Sequence, residues 1–310
     1  MNVLRAVVPV IVLLAMGMVF RRTGFISRRG IDDIKILVSR VMLTVAVFHA
    51  LATADYSVRT FEMVGVMLLI ELATFLAGFV VRRAFPPDRA KYIPYLMSLY
   101  EGGMLAYPLY INLCGSDALS NIAVLDIAGL LFGFSVWMSM LQQQEQGTAI
   151  TARGIAVSAL HTPTFIGAVL GVVCGLTGAV TWLLTTPAGT IYSGVESMIT
   201  APLNALILLA VGYDMDLSPA KIREVIKPIM YRLLIQAAAM AAAVAAVRTL
   251  FPDNREMLLA VIIYMSVPTT FSMQTYIRDP GGSTYVSTTN SLYVLCTVVI
   301  YAAAAFLYHA

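Results

Sequence analysis

Long apolar runs recur along the whole chain, and each is long enough to cross a lipid bilayer as a helix. A transmembrane helix needs about twenty mainly apolar residues, and the sequence contains ten runs of this kind. They cover residues 3–20, 34–54, 59–81, 92–111, 119–141, 154–177, 188–211, 228–247, 255–276 and 285–308. The sequence therefore predicts an all-α, polytopic membrane protein with ten transmembrane helices.

The charge content agrees with a membrane protein. Charged residues make up 12% of the 310 residues and hydrophobic residues 59%, whereas a soluble domain carries about 25% charged residues. The basic residues stand in short clusters between the apolar runs, which is typical of topology determinants and not of a nucleic-acid interface. Arg21 and Arg22 follow the first run, and no small-residue cleavage site comes next, so this run is predicted to be a retained helix.

The basic residues divide unevenly between the two sides that alternating spans would create. Sixteen lie in or beside the loops that follow odd-numbered spans, and four lie on the opposite side. The sixteen include Arg21, Arg28, Lys35, Arg40 and Arg232. Because positive charge favours the cytoplasmic side, we expect the odd loops inside and both termini outside a cell membrane, either an inner or a plasma membrane.

The order of the runs predicts an inverted repeat. Five runs precede the glutamine-rich loop at residues 142–147, and five follow it. An odd number of spans in each half places the halves in opposite orientations, which is the arrangement of many secondary transporters. We therefore expect two five-helix repeats, residues 1–146 and residues 147–310.

Proline positions support this repeat. Pro108 in the fourth span and Pro268 in the ninth are separated by 160 residues, and Thr44 in the second span aligns with Pro202 in the seventh at nearly the same offset. A proline inside a membrane helix removes a backbone donor and favours a break or kink. Matching breaks in two inverted halves predict a binding site near the membrane centre, and the alternative is two ordinary proline kinks.

Five segments of the chain also resemble a known family. They are GFISRRGIDDIKILVSRVMLTVAVFHAL at residues 24–51, YPLY…CGSDAL…VLDI at residues 107–127, HTPTFIGAVLGVVCGLTG from His161, APLNALILLAVGYDMDLS from Ala201, and SVPTTFSMQTY from Ser266. Together they resemble the auxin efflux carrier family of bacterial and plant transporters.

The resemblance implies a fold similar to that of the bile acid sodium symporters, in which broken fourth and ninth helices cross. It also implies a scaffold of helices one, two, six and seven, and a transport group of helices three to five and eight to ten. The implied activity is secondary active transport by an elevator-type movement and not enzymatic catalysis. Family substrates are typically organic anions, such as auxins in plants and malonate-like carboxylates in bacteria.

The chain departs from this family at two positions. Where the family typically has Asn-x-Gly at the fourth-helix crossover, this chain has Glu101-Gly102-Gly103, and where the second helix often has proline, it has Thr44. A carboxylate inside a membrane is costly unless it is protonated, paired or in contact with water. An ionised Glu101 would suit a cation, a zwitterion or a coupling ion, and a protonated one would carry a proton or donate to a backbone carbonyl.

The predicted site combines the two crossover segments with acidic groups of the first half. The substrate-binding candidates are Tyr100, Glu101, Gly102, Gly103, Tyr107, Pro108, Asn112, Pro268, Thr269, Thr270 and Gln274. Glu101, Glu71 and Asp126 are the candidates for proton or ion coupling, with a structural role as the alternative for Glu71. Asn204 is a secondary candidate. No catalytic residue or metal site is predicted, because no His, Cys or carboxylate cluster has metal-ligand spacing.

The expected partners are a small organic solute, the lipid bilayer, a coupling H⁺ or Na⁺, and a second copy of the chain in a homodimer. No nucleic acid and no cofactor is expected. Two other functions remain open at this point. One is a membrane-embedded enzyme acting on a lipid-linked substrate, for which the loop acids Asp32, Asp33, Asp214 and Asp216 would be the candidates. The other is a sensor of the same fold that binds a solute without transporting it.

Overall fold

The computed structural model describes residues 2–147, 151, 154, 157, 159–215 and 219–309, and all their regular secondary structure is helical. The α-helices are α1 Asn2–Thr23, α2 Arg28–Leu37, α3 Leu43–Ala52, α4 Val58–Val81, α5 Pro87–Ala90, α6 Ile93–Met97, α7 Tyr107–Cys114, α8 Leu119–Phe132, α9 Met138–Gln146, α10 Pro163–Thr177, α11 Ala179–Leu184, α12 Pro187–Thr200, α13 Leu203–Asp214, α14 Pro219–Leu250, α15 Arg255–Ser266, α16 Met273–Tyr276 and α17 Pro280–His309. The π-helical segments Val38–Met42, Gly102–Ala106 and Gly133–Trp137 and the 3₁₀ segments Arg82–Ala84 and Ser116–Ala118 lie between them.

Among the described residues, seven helical stretches are long and apolar enough to cross a membrane. They are Leu4–Thr23, Arg28–Ala52, Val58–Ala84, Ser116–Glu145, Pro187–Asp214, Ile222–Leu250 and Pro280–Tyr308. Helix α10 is a shorter apolar helix. The prediction of an all-α, polytopic membrane protein is therefore confirmed at this coarse level, whereas the ten-helix inverted repeat stays a prediction.

The two remaining predicted spans, 92–111 and 255–276, are both interrupted. The first consists of α6, a non-helical stretch at residues 98–101, a π-helical segment and α7. The second consists of α15, a non-helical stretch that begins at Val267, and the short α16. Both spans therefore contain the kind of irregular backbone that membrane proteins tolerate only inside the protein or along a cavity.

Three helices that begin predicted spans have polar N-caps. The side chains of Ser27, Ser57 and Asn254 accept hydrogen bonds from main-chain N–H groups in the first turns of α2, α4 and α15. Such caps satisfy donors that a helix leaves unpaired at its start. The helix starts therefore follow from local sequence.

Helices of the predicted scaffold pack with unusually close backbones. Gly167, Gly171 and Gly175 of α10 face main-chain carbonyls of α3, and a Cβ atom at Gly171 would lie only 2.8 Å from the Phe48 carbonyl oxygen. Helix α1 approaches α13 in the same way, because a Cβ at Gly17 would lie 2.2 Å from a main-chain oxygen of α13. Small residues allow this approach, so these helix pairs depend on glycine at the contact.

Ion pairs connect the loops that follow odd-numbered predicted spans. The pairs are Arg28–Asp214, Lys35–Asp214, Arg89–Glu224 and Lys91–Glu145. The main-chain N–H of Arg278 also donates to the Glu145 carboxylate. These loops therefore lie on one face of the bundle, which is what alternating spans require.

Two of the basic residues that lie inside predicted spans, Arg40 in span 34–54 and Arg232 in span 228–247, are helical in the structure. Arg40 belongs to the π-helical segment Val38–Met42. Arg232 belongs to α14, and only 2% of it is exposed. The charge of a residue can be read from the sequence, but its depth in the bundle depends on which polar groups surround it.

Candidate functional site

The two interrupted spans meet inside the protein. The main-chain N–H of Glu101 donates to the carbonyl oxygen of Pro268 over 2.9 Å. Next to this contact, Leu99 has a φ of 55° and is the only non-glycine residue with positive φ that the structure describes. A leucine in this conformation is strained, and such strain collects at functional sites. The breaks therefore form a crossover with an unusual backbone.

The first break does not lie at Pro108, where the proline pattern placed it. It lies at residues 98–101, and Pro108 is in the first turn of α7. The π-helical segment Gly102–Ala106 runs directly into α7, so Pro108 lies inside a continuous helical stretch that begins at Gly102. Pro268 does lie within the second break. The prediction from Pro108 was therefore wrong in position, and the break precedes Gly102.

The Glu101 carboxylate connects the chain segments that follow the two breaks. It is 7% exposed, and its Oε1 accepts a hydrogen bond from the Met104 N–H at 3.3 Å. Its Oε2 accepts a hydrogen bond from the Phe271 N–H at 2.5 Å. The Glu101 carboxylate therefore accepts a main-chain hydrogen bond from the segment that follows each break.

The Arg232 guanidinium donates hydrogen bonds to main-chain carbonyl oxygens at both breaks. Its Nη2 donates to the carbonyl oxygens of Leu99 at 3.0 Å and Val267 at 2.9 Å. Its Nη1 donates to those of Leu96 and Ser98. This role of Arg232 was not among the predictions from the sequence, although a basic residue inside the apolar run 228–247 is a candidate for function by its position alone.

Gln236, one turn after Arg232 on α14, also holds the first break. Its Nε2 donates to the Met97 carbonyl oxygen at 2.8 Å, and its Oε1 accepts from the Tyr100 hydroxyl at 2.7 Å. Tyr100, one of the predicted substrate-binding residues, is thus tied by its hydroxyl to α14. Helix α14 therefore supplies polar side chains that support the crossover.

Two acids of the first half lie beside the crossover. The Asp126 carboxylate accepts hydrogen bonds from the hydroxyls of Tyr107 at 2.8 Å and Tyr264 at 2.7 Å. Glu71 is fully buried, and among the described residues neither of its carboxyl oxygens has a hydrogen-bond partner. A Cβ on Gly129 would lie 3.2 Å from Asp126 Oδ1 and 3.3 Å from Glu71 Oε1. The two predicted coupling acids are therefore neighbours.

A cavity of about 340 Å³ lies against the crossover. One wall consists of crossover residues with Asp126, and the other consists of the second predicted span and the start of α10. The lining includes Ser39, Arg40, Leu43, Tyr100, Glu101, Gly102, Gly103, Met104, Asp126, His161, Thr164, Thr270 and Ser272. The walls thus carry acidic groups on the crossover side and the Arg40 guanidinium on the other.

Arg40 and Gly102 define the two sides of this cavity. Arg40 is exposed, and no carboxylate of the described residues forms an ion pair with it. A Cβ at Gly102 would lie 2.7 Å from Asp126 Oδ1, so only glycine lets the backbone approach this carboxylate. The site is therefore tight at the crossover and open at Arg40.

Several predicted site residues do not line the cavity at the crossover. The Asn112 amide donates to the Ala6 carbonyl oxygen at 2.6 Å and the Tyr301 hydroxyl at 2.8 Å, which ties α7 to α1 and α17 away from the cavity. Gln274 lines a separate cavity of about 210 Å³. The Thr269 hydroxyl donates to a main-chain carbonyl oxygen of α6. The crossover thus brings together only part of the predicted set.

No protein-family model matches this chain, and no curated protein matches it at a significant level. The resemblance to the auxin efflux carrier family therefore stays an expectation from the quoted segments. Within the described ranges, no three His, Cys, Asp or Glu side chains are grouped so as to hold a metal ion. Asp214, a candidate for the enzymatic alternative, is paired with Arg28 and Lys35.

Proposed function

We propose that this chain is a secondary active transporter of a small organic solute, similar in mechanism to the auxin efflux carriers. The observation that carries the proposal is the crossover of two interrupted membrane spans, joined by the hydrogen bond from Glu101 to Pro268, with a cavity directly beside it. Broken helices at matching positions are the usual place of substrate sites in secondary transporters. The neighbouring helices supply both charged and polar groups to this cavity.

The proposed solute is a small organic acid whose carboxylate binds Arg40. The guanidinium is suited to this contact because its parallel N–H groups match the two oxygens of a carboxylate. Glu101 and Asp126 on the opposite wall would repel a second negative charge. We therefore propose that Glu101 accepts a proton with the solute and that Glu71 and Asp126 form the adjacent acid pair of the coupling path.

The proposed movement is a displacement of the crossover helices against the scaffold. The cavity lies between the two groups of helices, because Arg40 belongs to the second predicted span whereas Glu101 belongs to the fourth. A solute held at this boundary would change sides when one group slides relative to the other. In this proposal the protein is a homodimer, the odd loops face the cytoplasm, and both termini lie outside.

The experiment has a binding step and a flux step. Unfolding of the purified protein is followed with malonate, with glycine and with ethylamine, since a bound solute raises the unfolding midpoint. We expect malonate to stabilise wild type and to lose this effect in Arg40→Gln. A compound that stabilises is then tested for uptake into proteoliposomes.

Measurement of solute uptake into proteoliposomes distinguishes a transporter from a sensor. We expect malonate uptake to increase with an inward proton gradient in wild type and to lose this dependence in Glu101→Gln. Binding without uptake would contradict the transporter proposal and support a sensor. Stabilisation by glycine or ethylamine alone would contradict the organic-acid assignment, and a fully gradient-driven Glu101→Gln variant would contradict proton coupling at Glu101.

A further inference from the structure

We infer that Arg232 is a tethered cation that takes the place of a coupling metal cation at the crossover, so that the protein needs no Na⁺ there. Its guanidinium binds carbonyl oxygens of both breaks, which are groups that bind Na⁺ in other transporters with broken helices. The inference rests on the proposed function only where it concerns transport. The cation site itself can be tested without a known solute.

The carbonyl oxygens are the first argument. An interrupted helix leaves main-chain carbonyls without their usual partners, and inside a membrane these groups need a donor or a cation. Arg232 donates to the Ser98 and Leu99 carbonyls of the first break, to the Leu96 carbonyl at the end of α6 just before it, and to the Val267 carbonyl at the second break. The guanidinium therefore binds four carbonyl oxygens from two spans, as a coordinated metal cation would.

The charge of Arg232 is the second argument. No carboxylate of the described residues forms an ion pair with it. Its Cζ lies 5.1 Å from the ring centre of Tyr293 and 5.8 Å from that of Tyr100, and aromatic faces attract cations. The surroundings of Arg232 are thus carbonyl oxygens and aromatic rings, which stabilise a positive charge without an acid.

The tether is the third argument. Arg232 is fixed to α14 and does not line the cavity at the crossover, whereas Glu101 does. A cation that is part of the chain cannot leave to either side of the membrane, so it cannot use an ion gradient. Ion coupling at the crossover then falls to the carboxyl group of Glu101, which borders the cavity.

The test uses unfolding midpoints in NaCl, KCl or choline chloride at constant ionic strength. Wild type and the control Arg248→Ala, an exposed residue of the same helix, should change by less than about 1 °C between these salts. Arg232→Ala should unfold at lower temperature in choline, and Na⁺ or K⁺ should then raise its midpoint saturably by roughly 3 °C or more. This gain of cation binding is the expected result, because the four carbonyl oxygens are free to bind a metal cation.

Two results would overturn the inference. One is a saturable Na⁺ response of wild type, and the other is an Arg232→Ala variant that is destabilised equally in all three salts, as a purely structural brace would be. Arg232→Gln keeps an amide donor without the charge, and it should gain the same cation response if Arg232→Ala does not fold. If neither variant folds, the wild-type salt series decides between support and refutation.

The outcome of this salt series does not depend on whether the protein transports a solute. If the proteoliposomes take up no solute, the transporter proposal fails, but a cation response confined to the Arg232 variants still supports the tethered cation. If wild type transports malonate only with Na⁺ present, the tethered-cation inference fails while the transporter proposal stands.

Discussion

The substitution Glu101→Gln tests the hydrogen bonds that hold the two breaks together. The carboxylate accepts from the N–H groups of Met104 and Phe271. Glutamine has nearly the same shape but only one acceptor oxygen, and its NH₂ group would face the second N–H. A hydrogen bond contributes about 0.5–1.5 kcal/mol net, and an unsatisfied buried donor costs about 1–3 kcal/mol. We therefore expect a loss of about 2–4 kcal/mol of unfolding free energy.

A loss of this size is measurable as a shift of the unfolding temperature. One kcal/mol shifts the midpoint by about 2–4 °C in proteins of 150–250 residues, so Glu101→Gln should lower it by roughly 5–15 °C. The assay is intrinsic fluorescence during heating in detergent. Trp137, one of two tryptophans in the chain, lines the cavity beside Glu101 and reports on it.

The matched control is Glu62→Gln, which removes the same charge from an exposed residue of α4. Its midpoint should stay within about 1 °C of wild type, because surface substitutions away from special features have small effects. A Glu101→Gln midpoint equal to that of the control would refute the reasoning. It would mean that the carboxylate does not hold the two segments together in the folded protein.

Three further substitutions test other parts of the site. Gly102→Ala places a Cβ atom 2.7 Å from Asp126 Oδ1, so we expect weaker malonate binding in calorimetry and a lower stability by about 1–3 kcal/mol. Arg40→Gln removes the proposed carboxylate contact and should weaken malonate binding at least about tenfold while leaving the unfolding midpoint of the free protein within about 2 °C. Gly171→Leu inserts a side chain where α10 faces the Phe48 carbonyl and should lower stability by about 1–3 kcal/mol in thermal unfolding.

Gly65→Ala is the control for the glycine substitutions, because nothing lies within 4 Å of its added Cβ atom. It should leave stability unchanged or slightly raised, since alanine favours a helix over glycine. Equal behaviour of Gly102→Ala and Gly65→Ala would contradict the close approach to Asp126. Undiminished malonate binding by Arg40→Gln would contradict the assignment of the carboxylate contact, and a stable Gly171→Leu would contradict the close packing of α10 on α3.

The crossover shows which features of the site could be predicted from the sequence and which could not. The pair of broken spans could be predicted, because Glu101, Gly102, Gly103 and Pro268 stand in apolar runs that otherwise read as continuous membrane helices, although Gly102 and Gly103 themselves lie in the π-helical segment that follows the first break. The position of the first break could not be derived from Pro108, because the helical stretch that contains this proline extends back through the π-helical segment to Gly102. Glu101 stood out in the sequence as a charge in an apolar run, but its two N–H partners did not.

The contacts of Arg232 could not be predicted from the sequence. Its charge and its place in the apolar run 228–247 were visible, yet it reads equally well as a residue near the membrane surface. The carbonyl oxygens that surround it lie on segments far away along the chain, since Leu96 precedes it by 136 residues. Long-range contacts of this kind leave no local pattern.

The sequence by itself determined that this is a helical membrane protein, because the thickness of the bilayer and the need to satisfy every backbone group act on each run separately. It also determined which runs contain residues that interrupt a helix. Only the tertiary structure decided that the two interruptions meet, and that the Glu101 carboxylate and the guanidinium of Arg232 on α14 form hydrogen bonds with their unpaired backbone groups. Glu101 and Phe271 are 170 residues apart, and only the packing of the helices brings such groups to hydrogen-bond distance.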